Sequence, residues 1–100
     1  MNGIVQQHLP QIKQLMQQYG VQSAYAFGSS VKNTMRPDSD VDFIISFPKD
    51  MDYETYGNNY FALLYGLRDL LKKEVDLVAE ETLSNPYLIQ SINQNKVRIL

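Results

Sequence analysis

Cysteine is absent, so neither a disulfide framework nor a zinc–thiolate site is available to this chain. Long apolar runs are absent too; none approaches the roughly 18 residues of a membrane-spanning helix. Basic residues are not in excess. Nine Lys and Arg stand against eleven Asp and Glu, giving a formal net charge of −2 and a pI near 5.2. A protein that grips nucleic acid regardless of sequence shows a basic face, so nucleic acid is not an expected direct partner. A nucleotide whose phosphates arrive with metal is not excluded. There is one histidine, His8, read as a surface helix residue. No internal repeat, Walker A, Rossmann or zincin pattern appears. The first residues, Met-Asn-Gly-Ile-Val-Gln-Gln, lack the basic start of a secretory signal, and a cytoplasmic location is the expectation.

What is present reads as one domain over residues 1–100. The apolar share of 44% and charged share of 20% are those of a soluble globular fold. A chain of this length buries roughly two-thirds of its unfolded surface. Val5, Leu9, Ile12, Leu15, Met16 and Tyr19 have helical spacing. Pro10 sets the firm helix start near Leu9, with residues 2–7 as a short preceding turn. Gly20 suits a left-handed helix end. Residues 21–27 and 41–47 read as strands, the second alternating Val41, Phe43, Ile45 and Phe47 against Asp40, Asp42, Ile44 and Ser46. Asp52 or Thr55 can cap a helix running to about Lys73. Residues 75–79 form a third strand. Ser84-Asn85-Pro86 opens a last helix, and residues 97–100 read as an extended tail. The expected fold is therefore α/β (α+β), with a small mixed three-stranded sheet and flanking helices.

The chemistry concentrates in Gly28-Ser29, ten residues, and then Asp40-Val41-Asp42. Positions i and i+2 of a strand share a side, so Asp40 and Asp42 project together. Asp76, inside the third strand, completes a carboxylate cluster if that strand lies beside the second. Three acids held together repel and raise one another's pKa; a divalent cation resolves this, and oxygen-only ligands favour Mg²⁺. Gly28 and Ser29 sit where a strand gives way to a turn, where glycine lets a phosphate approach the backbone. Each piece has a plainer reading: a turn at Gly28-Ser29, a solvated strand entrance at Asp40 and Asp42, a surface ion pair for Asp76 beside Lys72-Lys73-Glu74. One geometry accounts for all of them. Tyr56 and Tyr60 fall at core spacing, whereas Tyr53 belongs either to a partner surface or beside a nucleotide.

The Gly-Ser-x10-Asp-x-Asp spacing, with Tyr25-Ala26-Phe27 before it and Leu67 to Leu71 leading into Val75-Asp76-Leu77-Val78, resembles the minimal nucleotidyltransferases (MNT) of the DNA polymerase β-like superfamily. Several of these are antitoxins of HEPN-domain toxins. The resemblance implies a polymerase β-like fold and transfer of AMP from ATP to a protein hydroxyl, a tyrosine of a partner HEPN toxin. It implies Asp40, Asp42 and Asp76 as catalytic and metal-binding residues for two Mg²⁺ ions. Asp76 would also assist deprotonation of the acceptor. Gly28, Ser29 and Lys32 would be the nucleotide-binding residues. Where many relatives have Ala-Arg-Gly, this chain has Val31-Lys32-Asn33; Lys32 keeps the charge but not the fork of arginine. Two alternatives stand beside this reading. One is an antitoxin that neutralises its partner by binding alone. The other is a small-molecule nucleotidyltransferase of the aminoglycoside-modifying kind.

Overall fold

The computed structural model describes residues 3–28 and 40–100. Two helices come first, α1 (Gly3–Gln7) and α2 (Leu9–Gln18), then strands β1 (Ser23–Phe27) and β2 (Val41–Ser46). A long helix, α3 (Tyr53–Leu71), leads to β3 (Val75–Ala79). A single 3-10 turn (Glu80–Thr82), α4 (Pro86–Asn95) and β4 (Val97–Arg98) complete the chain.

Local chemistry sets these boundaries. Residues 3–7 are a helical turn that buries Val5. The chain breaks at His8, and Pro10 falls in the first turn of α2, where its missing N–H costs nothing. Gly20 takes a positive φ of 79° just beyond the helix. Asp52 caps α3 by accepting from the Thr55 N–H at 3.2 Å, and Lys72 ends it in the left-handed conformation. Asn85 caps α4 by accepting from the Tyr87 and Leu88 N–H groups at 2.9 and 3.3 Å.

The sheet has four strands in the order β3-β2-β1-β4. β1 is antiparallel to β2 and to β4, and β2 is parallel to β3. The sequence reading gave three strands and a tail; the tail is the fourth strand. Ala24 accepts from the Ile99 N–H at 2.8 Å and donates to the Leu100 carbonyl at 3.1 Å, and Ile99 is buried. A regular ladder of two residues is too short to show alternation, so its pairing comes from β1 and not from local pattern.

One face of the sheet carries Ala24, Ala26, Val41, Phe43, Ile45, Val75, Leu77 and Ala79, all buried. It meets Ile12 and Met16 of α2 and Leu63, Leu67 and Leu71 of α3 in one core. Full burial of a side chain such as Phe43 or Leu67 contributes about 1.5–3 kcal/mol. The opposite face carries Tyr25, Phe27, Asp42, Ile44, Asp76 and Val78. Part of it lies across a cavity from α4; the rest bears the acids.

Candidate active site

Phe27, Asp42 and Asp76 make one row across three strands. Phe27 pairs with Asp42, and Asp42 pairs with Asp76. Directly paired residues on neighbouring strands point to the same side, with the strands about 4.8 Å apart. The two carboxylates therefore stand together where β2 and β3 begin. The parallel β2–α3–β3 connection does this: residues 34 apart in sequence become lateral neighbours. The Val41 N–H donates to the Glu74 carbonyl at 2.9 Å, which aligns the start of β2 with the start of β3. Asp40 lies just before β2 and is exposed; strand alternation assigns it the side of Asp42.

Gly28 closes the row at the end of β1. Its φ is +58°, and a β-carbon there would lie 2.6 Å from Oδ2 and 3.4 Å from Cγ of Asp42. Only glycine leaves room for that carboxylate where it stands. The sequence argument assigned this glycine to phosphate approach; the structure adds a second reason, access for Asp42.

Among the described residues, no group of three or more His, Cys, Asp or Glu side chains is drawn together closely enough to hold a metal ion. Asp42 and Asp76 are brought together as a strand-paired couple, with Asp40 beside the entrance of β2. The donor set nonetheless fits a hard cation: carboxylate oxygens without nitrogen or sulfur, one of them seated in a notch that a β-carbon would fill. Ser29 and Lys32 of the proposed phosphate cradle lie outside the described residues, as do Val31, Asn33 and Arg36.

Tyr60 takes a role beyond the packing that its spacing suggested. Its hydroxyl donates to the Leu77 carbonyl, one residue past Asp76, and so pins β3 from the helix side. Burial pushes the Tyr60 pKa up, the negative charge of Asp76 raises it further, and Arg68 opposes both. Arg68 pairs with Glu74 at 3.2 Å. Tyr56 packs edge-on against Phe47, with centroids 4.9 Å apart, as its core spacing implied. Tyr53 is 96% exposed and borders a groove with Ser46, Phe47 and Pro48. That groove is at the far end of β2, about 16 Å along the strand from Asp42. Tyr53 is thus a surface residue at the end of the sheet opposite the acids. Sequence reasoning gave Phe27 no role at the site and read Tyr60 as packing alone. Tyr60 had no local signal, because its hydroxyl bonds to a backbone group 17 residues away.

The family model for the nucleotidyltransferase domain matches residues 7–99. Among curated proteins, the chain is 34% identical over 87 residues to "Putative protein adenylyltransferase MJ0128" of Methanocaldococcus jannaschii, covering 87% of this chain and 85% of that one. Two solved structures share the fold. One is a toxin–antitoxin pair with AMP-PNP, at a TM-score of 0.73 and 23% identity, covering 92% of this chain and 72% of the matched chain. The other is a tri-AMPylated Shewanella oneidensis HEPN toxin in complex with its MNT antitoxin, at a TM-score of 0.66 and 22% identity, covering 95% and 71%.

Proposed function

This chain belongs to the nucleotidyltransferase domain family, and we propose that within it the protein transfers AMP from ATP to a tyrosine hydroxyl of a HEPN-domain toxin, so acting as its antitoxin. The observation that carries the reading is the Phe27–Asp42–Asp76 row, with Gly28 leaving space for the Asp42 carboxylate. Similarity to a protein adenylyltransferase and to antitoxin folds solved with HEPN partners supports the choice of acceptor.

Asp40, Asp42 and Asp76 would hold Mg²⁺, whose charge, when bound, offsets that of the triphosphate and of the developing oxyanion. The chain's own residues supply the rest. Gly28 keeps the Asp42 carboxylate at the row; the family resemblance adds Ser29 and Lys32 to it as residues that would bind the β- and γ-phosphates. Asp76 is exposed, so an acceptor hydroxyl can reach it. Its carboxylate takes the hydroxyl proton as the tyrosine oxygen bonds to the α-phosphorus. The bond from that phosphorus to the bridging oxygen breaks, and pyrophosphate leaves.

The test is direct. The protein is incubated with α-labelled ATP, Mg²⁺ and a purified HEPN partner, and label on the partner is mapped by mass spectrometry. AMP on a partner tyrosine, absent with Asp42→Asn, is the expected result. Neutralisation of the toxin by Asp42→Asn as well as by the native chain, with no label, would establish binding alone instead.

A further inference from the structure

The side of α3 turned away from the core carries aromatic rings. Leu63, Leu67 and Leu71 bury one side of this helix. Glu54, Asn58, Phe61, Tyr65, Arg68 and Lys72 form one stripe on the other, with Lys72 at the helix cap. Their intervals alternate four and three residues, the spacing of a helix–helix seam. At the centre of the stripe Phe61 is 53% exposed and Tyr65 59%. Their rings stack with centroids 6.4 Å apart, and Cζ of Arg68 lies 6.0 Å from the centroid of Tyr65. A single apolar residue on a surface is ordinary, but a stacked aromatic pair with charges at both ends is built like an interface core and its rim.

We infer that this stripe is the seam of a homodimer, in which α3 of one copy packs antiparallel against α3 of a second. The order of charges along the stripe selects a second copy as the occupant. A two-fold axis midway between Phe61 and Tyr65 sets Phe61 of each copy against Tyr65 of the other, Asn58 against Arg68, and Glu54 against Lys72. Such a contact uses the same patch on both copies, and every pair in it is complementary: ring on ring, amide carbonyl on guanidinium, carboxylate on ammonium. Asp69 falls opposite Gly57, where there is open space, and meets no like charge. A parallel pairing would set Glu54 on Glu54 and Lys72 on Lys72. The antiparallel one also opposes the two helix dipoles favourably. Lys72 already touches Asp69 at 3.3 Å, but that pair is exposed on both sides and the ammonium has further donors. The helix is about 28 Å long, so the seam covers less than the roughly 800 Å² per partner of a tight complex, and the dimer is a reversible one. Because α3 covers the sheet face opposite the acids, the Asp42–Asp76 rows of both copies face outward. The inference stands apart from the reaction those acids serve.

The test is sedimentation of the full chain from about 10 μM to about 1 mM, the range of a weak association. The mass is expected to rise from the 11.5 kDa of one copy towards twice that value. Phe61→Ser combined with Tyr65→Ser, both at exposed positions, is expected to weaken self-association at least tenfold, with native circular dichroism. The register is tested separately, since the chain has no cysteine. Glu54→Cys and Lys72→Cys are made as single variants and treated with a short bis-maleimide. A mixture of the two is expected to cross-link between copies. Each alone is expected to stay uncross-linked, because the same position recurs about 27 Å away across the axis. A chain that stays monomeric throughout, with no cross-link in the mixture, would overturn the homodimer. Cross-linking of either variant alone would overturn the antiparallel seam. A monomer whose Phe61→Ser/Tyr65→Ser variant loses binding to the HEPN partner would give this face to that partner instead.

Discussion

A β-carbon on Gly28 would sit 2.6 Å from Oδ2 of Asp42. The turn that ends one strand and the acid that begins the next are thus fitted to each other. Gly28→Ala is expected to act in two ways. The left-handed backbone, φ +58°, costs about 1–2 kcal/mol with a side chain present. The displaced carboxylate weakens metal binding by about 10- to 100-fold, the range for disturbing a group that orients a metal ligand. Gly20→Ala is the control. It shares a left-handed φ of +79°, but its β-carbon meets only the tip of Met51, at 3.1 Å, and Asn59 at 3.8 Å. Mn²⁺ titration with thermal unfolding separates the effects: both variants lose stability, and only Gly28→Ala loses metal affinity.

Tyr60 positions β3 beside Asp76 through its bond to the Leu77 carbonyl. Tyr60→Phe removes one hydrogen bond, worth about 1 kcal/mol net. Under the proposed role, kcat falls roughly tenfold, as for other groups that orient a functional side chain, while KM for ATP holds. Steady-state kinetics and urea unfolding on the same preparation check this. A stability loss with kcat intact would reduce Tyr60 to a packing residue.

Tyr56 gives the fold an alkaline limit. Burial pushes its pKa up from 10.0 to about 12, and its hydrogen bond to Glu81 adds to the rise. Between those values the folded chain retains a proton that the unfolded chain has released, so stability falls as pH rises from 10 towards 12. Below pH 10 both states hold the proton and the contribution is complete. Tyr60, also raised, adds a slope of the same sign. Urea midpoints at pH 9, 10 and 11 should decline less steeply in Tyr56→Phe than in the native chain.

Much of this could be read from residue order. The alternation of Val41, Phe43 and Ile45 fixed the buried face of β2, and Asn85-Pro86 fixed the start of α4, because both signals act within a few residues. The pairing of Asp42 with Asp76 followed only if β3 lay beside β2, which a long helix between two strands favours but local pattern does not dictate. Three features depend on contacts that no window of sequence contains. The pairing of residues 97–100 depends on the edge of β1. The anchor from Tyr60 joins a helix side chain to a strand carbonyl. The fit of Gly28 to Asp42 joins two strand ends across an antiparallel pair.

In the proposed reaction the Asp42–Asp76 row is the catalytic centre of AMP transfer. The most direct measurement is the single-turnover rate of label transfer from α-labelled ATP to the HEPN partner, for the native chain and for Asp42→Asn and Asp76→Asn. Loss of several kcal/mol of charge stabilisation predicts a fall of about a thousandfold or more in each variant, with folding and partner binding retained. Transfer at the native rate by either folded variant would show that the row is not the catalytic centre.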